Sequence, residues 1–196
     1  MTTNVVTDEQ LGILARRQND LFRRVREGTL PVDLVLKGIQ DLIEGNFDPA
    51  PRPSGRVLDF DKRPYIPDNW RIKSEDQLPN RVTGRVEFDP ENMALYLDPA
   101  QKDDVVMGDK LRPKLANLTQ RVYGARALDS LLADTARIPE SWKKVGYIFF
   151  WGTIYRDSVG LLCVRYLFWE GGRWGWYYRW LGREFDARNL AAVSAS

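Results

Sequence analysis

The chain has 196 residues, 43% of them apolar and 29% charged, with a formal net charge of +2. That suits one folded domain, or one domain carrying a small appendage. It contains no histidine and a single cysteine, Cys163, which excludes His-based acid–base and nucleophilic catalysis, imidazole or thiolate metal sites, and an internal disulfide.

Nucleotide-binding and hydrolase fingerprints such as G-x-G-x-x-G, G-x-x-x-x-G-K-[ST] and G-x-S-x-G do not occur. No apolar run of about 18 residues is present, and the start, MTTNVVTDEQ, has neither a basic n-region nor an apolar h-region. The expectation is a cytoplasmic protein without membrane contact and without a cofactor. Charge is uneven: the segment from Trp142 to the end holds eight basic and four acidic residues, and six of the seven tryptophans.

The first 45 residues read as a helical hairpin. Thr7 and Gln10 have capping-box spacing, Leu11, Leu14, Leu21, Phe22 and Val25 form one stripe, and Gly28 closes the helix. Thr29 and Pro31 then open a second helix with Val35, Ile39, Leu42 and Ile43 on its apolar face. The arginines from Arg16 to Arg26 are interspersed with Asp20 and Glu27, the pattern of a solvated face. Residues 46–56 are proline-rich and read as a linker.

From residue 57 onward the pattern is that of a mixed α+β domain. Val57–Phe60 and Val82–Phe88 read as strands. Asp89-Pro90-Glu91 reads as a helix start followed by Met93, Leu95, Tyr96 and Leu97, and further helices are expected over Asp109–Ala116 and Ala125–Ala133. A five-residue pattern recurs, Ile66-Pro-Asp-Asn-Trp70 and Ile138-Pro-Glu-Ser-Trp142, each a proline-started turn folding a tryptophan back on an isoleucine.

Residues 142–182 read as a three-stranded antiparallel meander: Val145–Tyr155, Leu161–Trp169 and Trp174–Leu181, with turns at Asp157–Gly160 and Gly171-Gly172. A two-residue turn at Gly171-Gly172 sets Trp169 opposite Trp174, Leu167 opposite Trp176, Arg165 opposite Tyr178 and Cys163 opposite Trp180. A three-residue loop in the first hairpin adds Phe149, Trp151, Thr153 and Tyr155 to that face. The expected result is one aromatic face around Arg165 and one aliphatic face, and a one-residue slip in either hairpin exchanges the two sets.

Three readings of the aromatic face compete: a sheet covered on both sides, a stacking platform for single-stranded RNA or DNA, and a protein or self-association interface. On the open-face readings the contact residues are Trp151, Arg165, Trp169, Arg173, Trp174, Trp176, Tyr178 and Arg179. The expected function is therefore non-catalytic binding, with a protein partner, a second copy, or single-stranded nucleic acid on this β-face. The alternative is a small Mg²⁺-dependent enzyme built on carboxylates, with Asp59 and Asp61 in D-x-D spacing on a strand.

The strings Ile-Pro-Glu-Ser-Trp-Lys143, Phe149-Phe-Trp-Gly-Thr-Ile-Tyr-Arg156 and Val164-Arg-Tyr-Leu-Phe-Trp169 resemble those of a group of small uncharacterised bacterial proteins with Pro-Glu-x-Trp and F-F-W-G-T-I-Y-R motifs. The resemblance runs from about Val57 to the C-terminus. It implies a bacterial, cytoplasmic origin, and no activity or functional residue comes with it.

Overall fold

The computed structural model describes residues 7–29, 31–44 and 56–195. The linker expected over 46–56 lies outside them except for Arg56. The chain divides into two units, Met1–Pro53 and Ser54–Ser196. Helices and sheets are both present, so the protein is α+β. No helix among the described residues is long and apolar enough to cross a membrane.

The first unit contains α1 (Asp8–Arg26) and α2 (Val32–Ile43). The positive φ of Gly28 ends α1, and the Thr29 N–H bonds back to the Arg24 carbonyl at 3.0 Å. The Thr29 hydroxyl donates to that same carbonyl at 2.9 Å. Thr29 thus finishes α1 and does not cap α2, where the Pro31 carbonyl accepts from the Val35 N–H. Arg23 bridges Asp20 at 2.6 Å and Glu27 at 2.8 Å on the exposed side of α1, a mixed-sign solvated face. Leu21 and Val25 are half-buried, while Leu11 and Phe22 are exposed.

The second unit is built around a five-stranded sheet. Its strands are β3 (Met93–Tyr96), β5 (Tyr147–Arg156), β6 (Leu162–Glu170), β7 (Arg173–Trp180) and β9 (Asn189–Ser194), in the spatial order β3-β9-β5-β6-β7. β5 and β9 run parallel, and every other neighbouring pair is antiparallel. Two small ribbons flank it: β1 (Arg56–Asp59) with β2 (Arg85–Phe88), and β4 (Val106–Met107) with β8 (Glu184–Phe185). The helices of this unit are α3 (Ala100–Asp103), α4 (Gly108–Ala116) and α5 (Ala125–Ala133).

Both faces of the sheet are buried. Ile148, Phe150, Leu167 and Ala192 join one core cluster with Leu128 and Leu131 of α5 and with Trp142. Phe149, Trp151, Val164 and Val193 join a second with Leu111 and Leu115 of α4 and with Phe185. A sheet covered on both sides gives continuous apolar runs in its strands. The segment after Asp89-Pro90-Glu91 is such a run, and here the expected helix is corrected. Pro90–Asn92 makes a single 3₁₀ turn, capped by Asp89 accepting from the Glu91 N–H at 3.1 Å. Met93–Tyr96 then continue as a strand paired with β9. Met93 and Leu95 enter the first cluster while Ala94 and Tyr96 enter the second, an alternation that a helix cannot produce.

Across the β6–β7 hairpin, Trp169 pairs with Trp174, Leu167 with Trp176, Arg165 with Tyr178 and Cys163 with Trp180. Gly171 and Gly172 both have positive φ, as a primed two-residue turn requires. In the β5–β6 hairpin, Tyr155 pairs with Cys163, but the register breaks further along. β5 advances from Phe149 to Ile154 while β6 moves only from Tyr166 to Val164. This bulge turns the first half of β5 over. Phe149 and Trp151 therefore belong to the face opposite Arg165, which corrects the face expected for both.

The bulge is held on two sides. Gln77 accepts from the Ile154 N–H and donates to the Ile154 carbonyl, both at 2.9 Å. The Gly152 N–H bonds the Tyr123 carbonyl at 3.0 Å. A Cβ on Gly152 would lie 2.5 Å from the Val122 carbonyl oxygen and 2.7 Å from the Gly124 nitrogen, so this contact needs glycine.

Candidate functional site

The face of β6 and β7 that carries Arg165 is lined by two copies of one local device. The Trp70 N–H bonds the Pro67 carbonyl at 3.1 Å, and the Trp142 N–H bonds the Pro139 carbonyl at 2.9 Å. Trp142 packs in the cluster that takes in Trp174 and Trp176, and Trp70 in the cluster with Tyr178 and Trp180. The two I-P-x-x-W turns thus cover the two ends of this face, and α5 lies between them with Leu128 and Ala125 in the respective clusters.

Arg165 is at the centre and is 1% exposed. Its Nη1 donates to Asp129 of α5 at 2.9 Å and to the Tyr65 carbonyl at 3.3 Å. The guanidinium lies 4.1 Å from the centre of the Trp176 ring and 5.3 Å from that of Tyr65. The other carboxylate oxygen of Asp129 accepts from the Tyr65 N–H at 2.7 Å. The Tyr155 hydroxyl donates to the Tyr65 carbonyl at 3.0 Å, and burial holds that phenol above its usual ionisation range. Arg165 is thus tied into the packing, contrary to its expected role as an open contact residue.

The other expected contact residues divide into two sets. Trp151 is fully buried under α4, with its ring centre 5.0 Å from that of Phe185, and its indole N–H has no acceptor. It cannot share a surface with Arg165. Arg179 lies on the same side of the sheet as Trp151, where it donates to the Glu184 carbonyl at 2.7 Å and to Asn189 and rests over Phe185. Trp151 and Arg179 are thus structural.

Trp169, Trp174, Trp176 and Tyr178 are half-buried, and Arg173 is exposed. Trp169 and Trp174 meet edge to face at 5.1 Å, with the Lys143 ammonium 4.4 Å from the Trp169 ring. Tyr178 meets Trp70 at 4.7 Å. Arg173, Trp174, Trp176 and Tyr178 belong to the outermost strand and Trp169 to the strand beside it, while Tyr177, 55% exposed, lies on the other face of β7 beside Tyr166. Tyr177 is absent from the expected contact residues, although its place on an outermost strand marks it as accessible.

Two titrating groups stand at the far end of the ribbon. Burial opposes ionisation of Asp157, yet the Trp180 indole N–H at 2.8 Å and the N–H groups of Leu161 at 2.9 Å and Val159 at 3.0 Å outweigh it and hold the carboxyl below its usual range. Burial pushes the Cys163 thiol up to about 12.

The D-x-D pair departs from its expected geometry. β1 ends at Asp59, and Asp61 lies in the turn beyond it, its N–H donating to the Asp59 carboxylate at 3.1 Å. Among the described residues, no group of three or more Asp, Glu or Cys side chains is placed to hold a metal ion.

Among the described residues, β7 has β6 on one side and no strand on the other. The Leu181 N–H, next in line after β7, bonds the Leu162 carbonyl of β6 at 2.9 Å. By strand alternation the odd-numbered residues of β7 face β6, and Trp174, Trp176, Tyr178 and Trp180 direct their N–H and C=O groups outward, where the Trp180 carbonyl accepts from the Arg183 N–H at 3.1 Å. No family model, curated protein or solved structure matches the chain.

Proposed function

We propose that this is a non-catalytic interaction protein that pairs with a second copy of itself along the outer edge of β7. The observation that carries the reading is the open edge of an eight-residue strand without proline or lysine, the features that usually blunt such edges. The strand reads Arg-Trp-Gly-Trp-Tyr-Tyr-Arg-Trp. An antiparallel copy related by a two-fold axis at Tyr177 would set Trp174 opposite Trp180, Trp176 opposite Tyr178 and Gly175 opposite Arg179. No like charges face each other in that register, and the aromatic cross-strand pairs favour it. With its one cysteine buried, the fold needs no disulfide, in keeping with a cytoplasmic setting.

Single-stranded nucleic acid is the weaker occupant. The ring faces that a base would stack on are already engaged at Trp176 by Arg165 and at Tyr178 by Trp70.

The test is the mass in solution by light scattering across a concentration series, for the natural chain and for Tyr177→Lys. The exposed position tolerates lysine, but in the dimer it would place two ammonium groups on either side of the axis. A dimer that the variant converts to monomer is expected. A natural chain that stays monomeric at high micromolar concentration refutes the reading.

A further inference from the structure

A second concavity, unrelated to the β7 edge, opens where the loop after β1, the residues before β2 and the start of α5 meet the β5 bulge. It encloses about 510 Å³, and its walls carry Lys62, Arg63, Arg81 and Arg126 against one carboxylate, Asp61. Among the described residues none of these four cations has an ion pair or a side-chain hydrogen bond. Arg156, Arg165 and Arg188, by contrast, each hold a carboxylate at 2.7–2.9 Å. The Nε of Arg126 is buried without an acceptor. Four like charges share this hollow, with Lys62 and Arg63 at its exposed rim, and the buried Nε–H of Arg126 lacks a bond, a setting that an anion would stabilise.

The backbone adds to the same field. Gly124 lines the cleft and stands at the N-cap of α5, so the positive end of that nine-residue helix lies at the cleft wall. The Ala125 N–H is taken by the Thr153 hydroxyl at 3.0 Å, which leaves the arginine and lysine side chains as the donors for a ligand. Arginine forks match the oxygens of a phosphate. The volume lies within the roughly 300–1,000 Å³ of small-molecule sites, more than a single phosphate ion needs, and Phe60 and Ile72 supply apolar wall.

We infer that this cleft binds the phosphoryl group of a small molecule through Arg81, Arg126 and the Lys62–Arg63 pair. A nucleic-acid backbone is disfavoured because the cations converge in one hollow and the net charge of the chain is only +2, where a backbone asks for an extended basic stripe.

Calorimetric titration of the full chain at low salt tests this with three probes: inorganic pyrophosphate, adenosine diphosphate and adenosine. Pyrophosphate and the diphosphate are expected to bind, more weakly as salt rises, and adenosine is not. Tighter binding of the diphosphate identifies an organic phosphate, and equal binding an inorganic one. Arg81→Gln and Arg126→Gln should each lower affinity about tenfold, as the loss of one charged hydrogen bond does. Should Arg126→Gln fail to fold, the exposed pair Lys62→Gln with Arg63→Gln must show the loss. No binding of either phosphate, or affinity unchanged in the folded variants, overturns the inference. So does binding of an oligothymidylate where neither small phosphate binds.

Discussion

Replacing Asp129 by asparagine keeps an acceptor for the Tyr65 N–H but removes the charge that Arg165 faces. The guanidinium, its side chain 1% exposed, would be left with the Tyr65 carbonyl at 3.3 Å and the Tyr155 hydroxyl at 3.4 Å, both neutral. Stranding one member of a buried ion pair costs about 3–5 kcal/mol. In a chain of this size that lowers the melting temperature by roughly 6–20 °C.

The reverse change behaves differently. Arg165→Met removes the buried charge together with its desolvation penalty, and Asp129, 15% exposed, retains some access to water. The loss is then mainly the cation–π contact with Trp176, about 1–2 kcal/mol. The double variant should resemble Arg165→Met alone, because the stranded charge is gone. Urea unfolding followed by tryptophan fluorescence measures all three. Arg165→Met costing as much as Asp129→Asn, or Asp129→Asn costing under about 1 kcal/mol, would refute the structural assignment of Arg165 and return it to the open contact residues.

Asp157→Asn should cost about 1–3 kcal/mol at pH 7, since an amide nitrogen would face either the Trp180 indole N–H or the N–H groups of Leu161 and Val159. Because the folded carboxyl titrates below its ordinary value of about 4, the natural chain has this stability in full above that pH and loses it as pH falls through the folded value. The gap between the two proteins must therefore narrow in acid, and a gap independent of pH contradicts the assignment. Gly152→Ala drives a Cβ to 2.5 Å from the Val122 carbonyl oxygen and should destabilise by about 2–3 kcal/mol, as overpacking does; a melting temperature unchanged within error would mean the bulge is looser than described. Cys163, fully buried with its thiol pushed up to about 12, should not react with a disulfide reagent at pH 8 until urea unfolds the chain, and labelling at the rate of a free thiol would count against its burial.

The spans of α4 and α5, the closure of α1 at Gly28 and the β6–β7 register follow from local chemistry, and each is legible in a few adjacent residues. Caps, apolar spacing and a Gly-Gly turn act within one or two turns of chain, and no distant partner is needed to specify them. The absence of histidine likewise bounds the chemistry without any structure.

The sheet beyond the meander required the tertiary structure. Met93–Tyr96 carry no visible alternation because both sides of their strand are apolar, and β9 pairs with β5 in parallel from 42 positions away in Tyr147↔Asn189. The β5 bulge has one local mark, Gly152, whose need for a missing Cβ arises only when residues 122–124 lie against it. Because of that bulge Trp151 and Arg165 lie on opposite sides of the sheet. Arg165 reads as a binding residue until Asp129 on α5 is brought to it, and Lys62, Arg63, Arg81 and Arg126 read as scattered surface charge until the fold gathers them into one hollow. Local conformational preferences are written in neighbouring residues. Which face is covered, and which charges meet, depends on contacts between segments far apart in the chain.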